Sequence, residues 1–321
     1  MSLTAWRVVL IGAGELGSRH LQSVATLPGV MIDVVEPALA SRELARQRLG
    51  IASQQVQLRF FDLISQIEPA YDVAIIATGS AVRFHLTQQL LMQTKVRYLL
   101  LEKVLFQQLE HYHQMQQLLA GAGVVAYVNC PRRLYPLYQQ LRQPLSQQPV
   151  TLQVTGNLWG MACNSIHFID LVAFLTTETL TSVDVAGLTQ SYASKRPGYV
   201  EVAGRLAMQF SAGSTLQLQS TADEKLPLGL SIELIGAGGH WCIDESQGRI
   251  QHKNDPTLLL DGLPLLYQSQ LTAAVLTELM TRGDCDLTPY PESAALHLPL
   301  IQGLLSYFRQ DQPMLEACPI T

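Results

Sequence analysis

The sequence predicts an α/β protein: a doubly wound parallel sheet first, then an antiparallel or mixed sheet with a helix packed on it. Three observations carry this. Up to about residue 128, apolar runs alternate with amphipathic stretches, the grammar of right-handed βαβ units. The first apolar run, Val8-Val9-Leu10-Ile11, passes straight into Gly12-Ala13-Gly14-Glu15-Leu16-Gly17, a G-x-G-x-x-G turn. Beyond Asn129 the chain changes to successive segments that alternate with period two.

The turn is the organising element. Leu16, His20, Leu21 and Val24 follow it at helical spacing, so strand, glycine turn and helix stand in the order a dinucleotide-binding turn requires. Gly12 permits the tight turn, Gly14 lets the backbone approach a pyrophosphate, and Gly17 lets helix and strand pack closely. Unpaired N–H groups at the helix N-terminus, around Glu15 and Leu16, then receive the anion. A second strand, Met31–Val35, ends in Glu36, an acid placed to accept the adenosine ribose hydroxyls and repel a 2′-phosphate. NAD is therefore expected in preference to NADP, a preference that the nearby Arg42 tempers.

The remaining elements follow in order. A helix over Ser41–Leu49, with Ser41 as N-cap, leads to a weak strand at Val56–Phe60. Tyr71–Gly79 reads as a buried parallel strand. Thr78, Gly79 and Ser80 fall at its carboxyl end, where such sheets bind ligands; lining the dinucleotide and making a plain turn both remain open for them. Next come a helix at His85–Gln93, a strand at Val96–Leu101 ending in Glu102-Lys103, a helix at Phe106–Leu119 and a strand at Val124–Val128. His111 and His113, two apart on a helix, face different sides and are not a metal pair.

Asn129–Pro136 is a connector to a further helix, so the domains are expected at 1–128 (dinucleotide-binding) and 129–321 (substrate-binding). A strand at Leu152–Thr155 and a capped helix from Ser165 to about Leu175 open the second domain. Strands at Val183–Leu188, Val200–Phe210, Thr215–Ser220, Leu230–Ile235 and His240–Ile243 follow, with Gly236-Ala237-Gly238-Gly239 as a hairpin turn. Helices at Gln268–Met280 and Glu292–Phe308 close the chain.

Composition narrows the function classes. A length of 321 residues suits two domains, and 48% hydrophobic content argues against disorder. A net charge of −5 gives no basic field for nucleic acid or an anionic membrane. No apolar stretch is long enough to span a bilayer and no basic leader precedes the first strand, so a cytoplasmic protein is expected. Five scattered cysteines without a C-x-x-C agree with a reducing compartment. The glutamine-rich surface has no account at this level.

Lys103 is the strongest catalytic candidate, at the carboxyl end of a sheet strand. An ammonium there can hydrogen-bond a substrate oxygen, although a surface lysine closing a strand is the commoner occurrence. The motifs GAGELGSRH, Glu102-Lys103, Asn129…Arg132-Arg133…Pro136, His167-Phe168-Ile169-Asp170 and Cys285-Asp286-Leu287…Glu292-Ser293…His297 together resemble the Gfo/Idh/MocA family. That resemblance covers nearly the whole chain. It implies an N-terminal Rossmann domain and a C-terminal α+β domain with a large, mostly antiparallel open sheet that often serves dimerisation. It also implies NAD(P)-dependent oxidoreductase activity on sugars, cyclitols or sugar nucleotides.

Roles for single residues follow from the resemblance. Lys103 would contact the reacting oxygen, Glu102 and Lys103 would adjoin the cofactor, and His167 would exchange the hydroxyl proton. A helix N-terminus disfavours imidazolium, which suits a neutral His167. Two positions depart from the family pattern. Val104 stands where the family has proline, and Cys163 stands where many members have aspartate, with Asn164 beside it able to bond a sugar hydroxyl. Arg132 and Arg133 can clamp a phosphate or make structural ion pairs, and Tyr192, Lys195 and Arg196 lie on a polar stretch expected to cover substrate. Two other readings remain: an NAD-dependent sugar enzyme without net redox change, of glycosidase type, and a non-catalytic NAD-binding regulator. Leu206, Met208, Phe210, Leu216 and Leu218 offer more apolar surface than one helix layer covers, so a homodimer or homotetramer through the second sheet is expected.

Overall fold

The structure is a computed structural model and describes residues 6–50, 56–146, 148–236, 239–264 and 266–321. The chain folds into two compact units. Unit 1 comprises Met1–Phe106, Glu110–Pro131 and Leu266–Pro291; unit 2 comprises Gln107–Leu109, Arg132–Leu265 and Glu292–Thr321. This differs from a single cut after residue 128. The first unit extends to Pro131 and takes back a segment from near the end of the chain.

In unit 1 the elements run β1 (Arg7–Ile11), α1 (Gly17–Val24), β2 (Met31–Val35), α2 (Leu39–Leu49), β3 (Gln57–Phe61), β4 (Ala70–Ile76), α3 (Ser80–Gln93), β5 (Lys95–Leu101), α4 (Glu110–Ala122) and β6 (Val125–Val128). β1 lies between β2 and β4 and pairs with both in parallel; its residues Val8–Ile11 and the facing Val73–Ile76 are almost wholly buried. Continuous apolar strands of this kind are what a sheet covered on both faces demands. α2 begins at Leu39 with Ala38 as N-cap, so Ser41 lies inside its first turn rather than capping it.

Unit 2 runs α5 (Pro136–Leu145), β7 (Thr151–Asn157), α6 (Met161–Thr176), β8 (Leu180–Asp184), β9 (Leu188–Ala193), β10 (Val200–Phe210), β11 (Thr215–Thr221), β12 (Gly229–Gly236), β13 (Gly239–Asp244), β14 (Arg249–His252) and β15 (Leu259–Leu260). Among the described residues the sheet order is β15-β14-β13-β12-β7-β11-β10-β8, with β9 also on β10. All its pairings are antiparallel except β7 with β11. β12 and β13 pair up to Gly236 and Gly239; Ala237 and Gly238, expected in the hairpin turn, lie outside the described residues.

α6 packs on β10 and β11, and its length is apolar almost all round, as a covered helix must be. Leu206, Met208, Phe210, Leu216 and Leu218 are buried within this unit, which corrects the expectation that they remain for a partner subunit. The opposite face of β11 carries Gln217 and Gln219 in alternation with those leucines, which places part of the glutamine content on an exposed sheet face.

The last elements are α7 (Gln268–Arg282), β16 (Thr288–Pro289) and α8 (Tyr290–Phe308). α7 belongs to unit 1 and packs there on α1, where the Ala273 N–H donates to Ser23 Oγ at 2.8 Å. β16 adds an antiparallel edge to β6, so the first sheet reads β16-β6-β5-β4-β1-β2-β3. Among the described residues no helix is long and apolar enough to cross a membrane.

Candidate active site

In unit 1 the glycine turn joins β1 to α1 as expected, and the three glycines do separate work. Gly12 has φ +91°, and a Cβ there would lie 2.9 Å from Thr78 Cγ2. A Cβ on Gly17 would fall 2.0 Å from the Gly12 carbonyl oxygen, so helix and turn meet only because position 17 is bare. At Gly14 a Cβ would meet nothing within 4 Å. That open space is the cradle a pyrophosphate needs.

The end of β2 is tied to this turn. Gly12 N–H donates to the Val35 carbonyl, and the nearly buried Glu36 carboxylate accepts N–H bonds from Ala13 at 2.8 Å and Ala38 at 2.9 Å. Two of about four lone-pair positions are thus used, which leaves capacity for ribose hydroxyls. Arg42 bonds the Glu36 main-chain carbonyl and pairs with Asp62, so its guanidinium is engaged by oxygens rather than held ready for a 2′-phosphate. Glu15 points outward in a pair with Arg48, which holds the Glu15 carboxyl below its usual range; Leu16 is half-buried at the start of α1.

Thr78 lies just past β4 and Gly79 caps α3. Thr78 Oγ1 is buried with no hydrogen-bond partner among the described residues. A polar atom orphaned at the carboxyl edge of the sheet fits a ligand contact better than a plain turn. The bare turn has room for a pyrophosphate and the acid at the end of β2 can accept from ribose hydroxyls, so these residues fit NAD. Arg83, buried on α3, bonds the carbonyls of Thr78, Val104 and Leu105 and so fastens this edge to the segment after β5.

Glu102, expected beside the cofactor, is a buried member of a polar network. His20 Nε2 lies 2.9 Å from its carboxylate, and Asn129 Nδ2 donates to the same oxygen. His20 Nδ1 meets Thr272 Oγ1 at 2.9 Å, and Gln268 joins Asn129 and Thr272. Burial alone would raise the Glu102 carboxyl, but the bonds from His20 and Asn129 and the charge of Arg83 hold it below its usual value. The network fixes the residue before Lys103, which is half-buried at the strand end; the Lys103–Val104 peptide bond is cis.

In unit 2, α6 starts at Met161, four residues before the expected Ser165, because its cap comes from elsewhere. Glu201 on β10 accepts the Ala162 N–H at 2.8 Å, and Gly160 turns the chain with φ +72°. Cys163 and Asn164 therefore sit in the first helical turn, and His167 one turn further on the same side. Asn164 Nδ2 donates to the Trp159 carbonyl at 2.9 Å and Cys163 Sγ donates to the Gly160 carbonyl at 3.3 Å. A Cβ on Gly160 would lie 3.1 to 3.3 Å from Asn164 Nδ2, Cys163 Sγ and Glu201 Oε1. A buried carboxylate thus stands beside Cys163 although the residue at 163 carries none.

Tyr192 is on strand β9 opposite Glu201, not on a loop; Lys195 and Arg196 lie beyond it, exposed. Burial, and then the Glu201 carboxylate, push the Tyr192 phenol up to about 12. The two arginines are corrected to structural ion pairs. Arg132 grips Glu245 with both fork nitrogens at 2.7 and 2.9 Å and lies over the Phe168 ring at 4.2 Å. Arg133 grips the fully buried Asp170 at 3.0 and 2.7 Å and also reaches Glu292. Carboxylates already fill the forks that a phosphate would use.

The family model for the oxidoreductase family with NAD-binding Rossmann fold (Gfo/Idh/MocA) matches residues 6–130. Comparison with curated proteins gives no match. Among solved structures, UDP-N-acetylglucosamine 3-dehydrogenase from Acidithiobacillus ferrooxidans is 15% identical with a TM-score of 0.71, over 95% of this chain and 98% of that one. Scyllo-inositol dehydrogenase from Lactobacillus casei, with NAD(H) and scyllo-inositol bound, is 16% identical with a TM-score of 0.68, over 96% and 98%. An oxidoreductase from Agrobacterium radiobacter in complex with NAD+, L-tartaric acid and magnesium is 15% identical with a TM-score of 0.70, over 92% and 94%. At these identities the likeness is one of fold.

Proposed function

Because residues 6–130 belong to the NAD-binding Rossmann oxidoreductase family, we propose that the protein is an NAD-dependent dehydrogenase or reductase of CH–OH groups. Its substrate is a sugar, a cyclitol or a sugar nucleotide, the class on which two structural relatives act, UDP-N-acetylglucosamine 3-dehydrogenase and scyllo-inositol dehydrogenase. The carrying observation is the bare glycine turn held against the Glu36 carboxylate. Bound NAD supplies the site that accepts or returns the hydride. Lys103, at the carboxyl end of β5, hydrogen-bonds the oxygen on the reacting carbon and stabilises its developing charge. His167, on the second turn of α6, receives the hydroxyl proton through its ring. Each role rests on the residue's place in its own unit. The scattered cysteines, none in a disulfide, suit a cytoplasmic setting.

Incubation with NAD and a panel of sugars, cyclitols and sugar nucleotides, read as NADH absorbance, tests the activity. Lys103→Met keeps the bulk of the stem and removes the ammonium, so kcat should fall by about 10²–10⁴ while NAD affinity stays near normal. Near-normal turnover by that variant would overturn the mechanism. NAD binding with no turnover of any panel member would leave a binding protein in place of an enzyme.

A further inference from the structure

Trp159 sits immediately before α6, and its setting is fixed from five directions. Leu158 before it has φ +49°, a left-handed conformation that a leucine adopts only under constraint, and Gly160 after it has φ +72°. The Leu158 N–H donates to the Thr221 carbonyl. Asn157 Nδ2 donates to the carbonyls of Asp223 and Leu226, and its Oδ1 accepts from Thr221 and Asp223. The indole N–H donates to the Gln219 carbonyl at 3.0 Å. The ring meets Phe168 edge-on, centroids 5.8 Å apart at 84°, and Phe168 in turn carries Arg132.

All this constraint holds an indole that is only half-buried. Its N–H is bonded to the Gln219 carbonyl, so what the exposed part of the ring offers a ligand is aromatic carbon. Asn164 is bonded to the same residue's carbonyl, and Cys163 and His167 stand on the adjoining turns of α6. A flat apolar plate edged by hydrogen-bonding groups matches a molecule with one C–H face and a rim of hydroxyls. Core packing would require neither the strained backbone nor the partial exposure.

We infer that Trp159 is the stacking platform on which the substrate's ring lies, and that it selects pyranose or cyclitol rings presenting an apolar face. The inference deepens the proposed function and rests on its sugar-type substrate. Trp159 touches the substrate but takes no part in proton or hydride transfer, so its loss should appear in KM rather than kcat.

The test combines kinetics and fluorescence on the full chain. With the panel substrate found above, Trp159→Leu should raise KM about tenfold with kcat within a few-fold, and Trp159→Phe should recover much of the loss. An unchanged KM in Trp159→Leu, with NAD affinity and melting temperature intact, would overturn the inference. In a Trp6→Phe, Trp241→Phe protein the remaining indole reports directly. Saturable change in its emission with myo-inositol or glucose, absent with glycerol, supports stacking; the same change with NADH alone would assign the ring to the cofactor and overturn it. The two proposals separate here. If no panel member is turned over but the sugar titration saturates, the oxidoreductase reading fails and the platform stands. If neither responds, both fail.

Discussion

The candidate sites on the two units are made of different material. On the first unit the ligand surface is backbone: a bare turn, N–H groups and one acid, with glycines placed where a Cβ either collides or would fill the cradle. On the second the proposed surface is side chain: Glu201, Cys163, Asn164, His167, Tyr192 and Trp159, gathered from two strands and a helix end. A backbone surface tolerates many sequences as long as a few positions stay bare. A side-chain surface depends on a carboxylate or an amide arriving from a distant part of the chain, and on ion pairs that keep the frame rigid.

That contrast can be broken at several points. The largest expected effect is at the frame of the second unit. Arg133→Met leaves Asp170 buried without its fork and should cost about 3–5 kcal/mol in urea unfolding followed by tryptophan emission. A loss below about 1 kcal/mol would put the pair in the solvent-screened class and return Arg133 to ligand binding. In the first unit, two glycines should behave oppositely. Gly17→Ala drives a methyl into the Gly12 carbonyl and should lower both melting temperature and NAD affinity; Gly14→Ala, with open space around it, should lower NAD affinity alone. Equal loss of stability in both variants, read by calorimetry, would remove the distinction between packing glycine and cradle glycine.

The smallest effect is the pH dependence of the Glu102 network. The folded carboxyl is held below its ordinary value of 4.5, so its contribution is complete above that value and is lost as pH falls through the depressed one. The stability gap between the protein and Glu102→Gln should therefore be constant near neutrality and close on acidification. A gap that widens in acid would contradict the assignment.

The glycine turn of the first unit was legible in the sequence because its signal is local: strand, glycines and acid lie within thirty residues. Its buried support was not. His20 is in the glycine-turn helix, but the other members of its network, Glu102, Asn129, Gln268 and Thr272, are spread over most of the chain, and no local pattern links them. In the second unit, Asn164 and His167 lie close in sequence and fall on one helix, so their nearness was legible. Glu201 was not, and the reason is geometric. Leu206, Met208 and Phe210 set the buried phase of β10, and Glu201 lies in the opposite phase. Val202, in the same phase as Leu206, is buried as well, so at Glu201–Ala203 both faces of the strand are covered and alternation gives no sign of the acid. Arg132 and Arg133 were ambiguous for a similar reason, since Glu245 and Asp170 are neighbours only in the fold.

The late return of Leu266–Pro291 to the first unit also governs the order in which a newly made chain can mature. When Pro131 leaves the ribosome, every parallel strand of the first sheet has been synthesised, yet α1 still lacks the helix that packs on it. His20 and Ser23 wait without Thr272 and the Ala273 amide, and β6 without its edge strand. At about 5–20 residues per second the missing segment follows roughly ten to thirty seconds later. The nucleotide-binding unit is thus completed only after most of the second unit has been made, and a stalled chain that ends before Leu266 carries a glycine turn whose helix has one polar face, buried in the complete fold, still open to water.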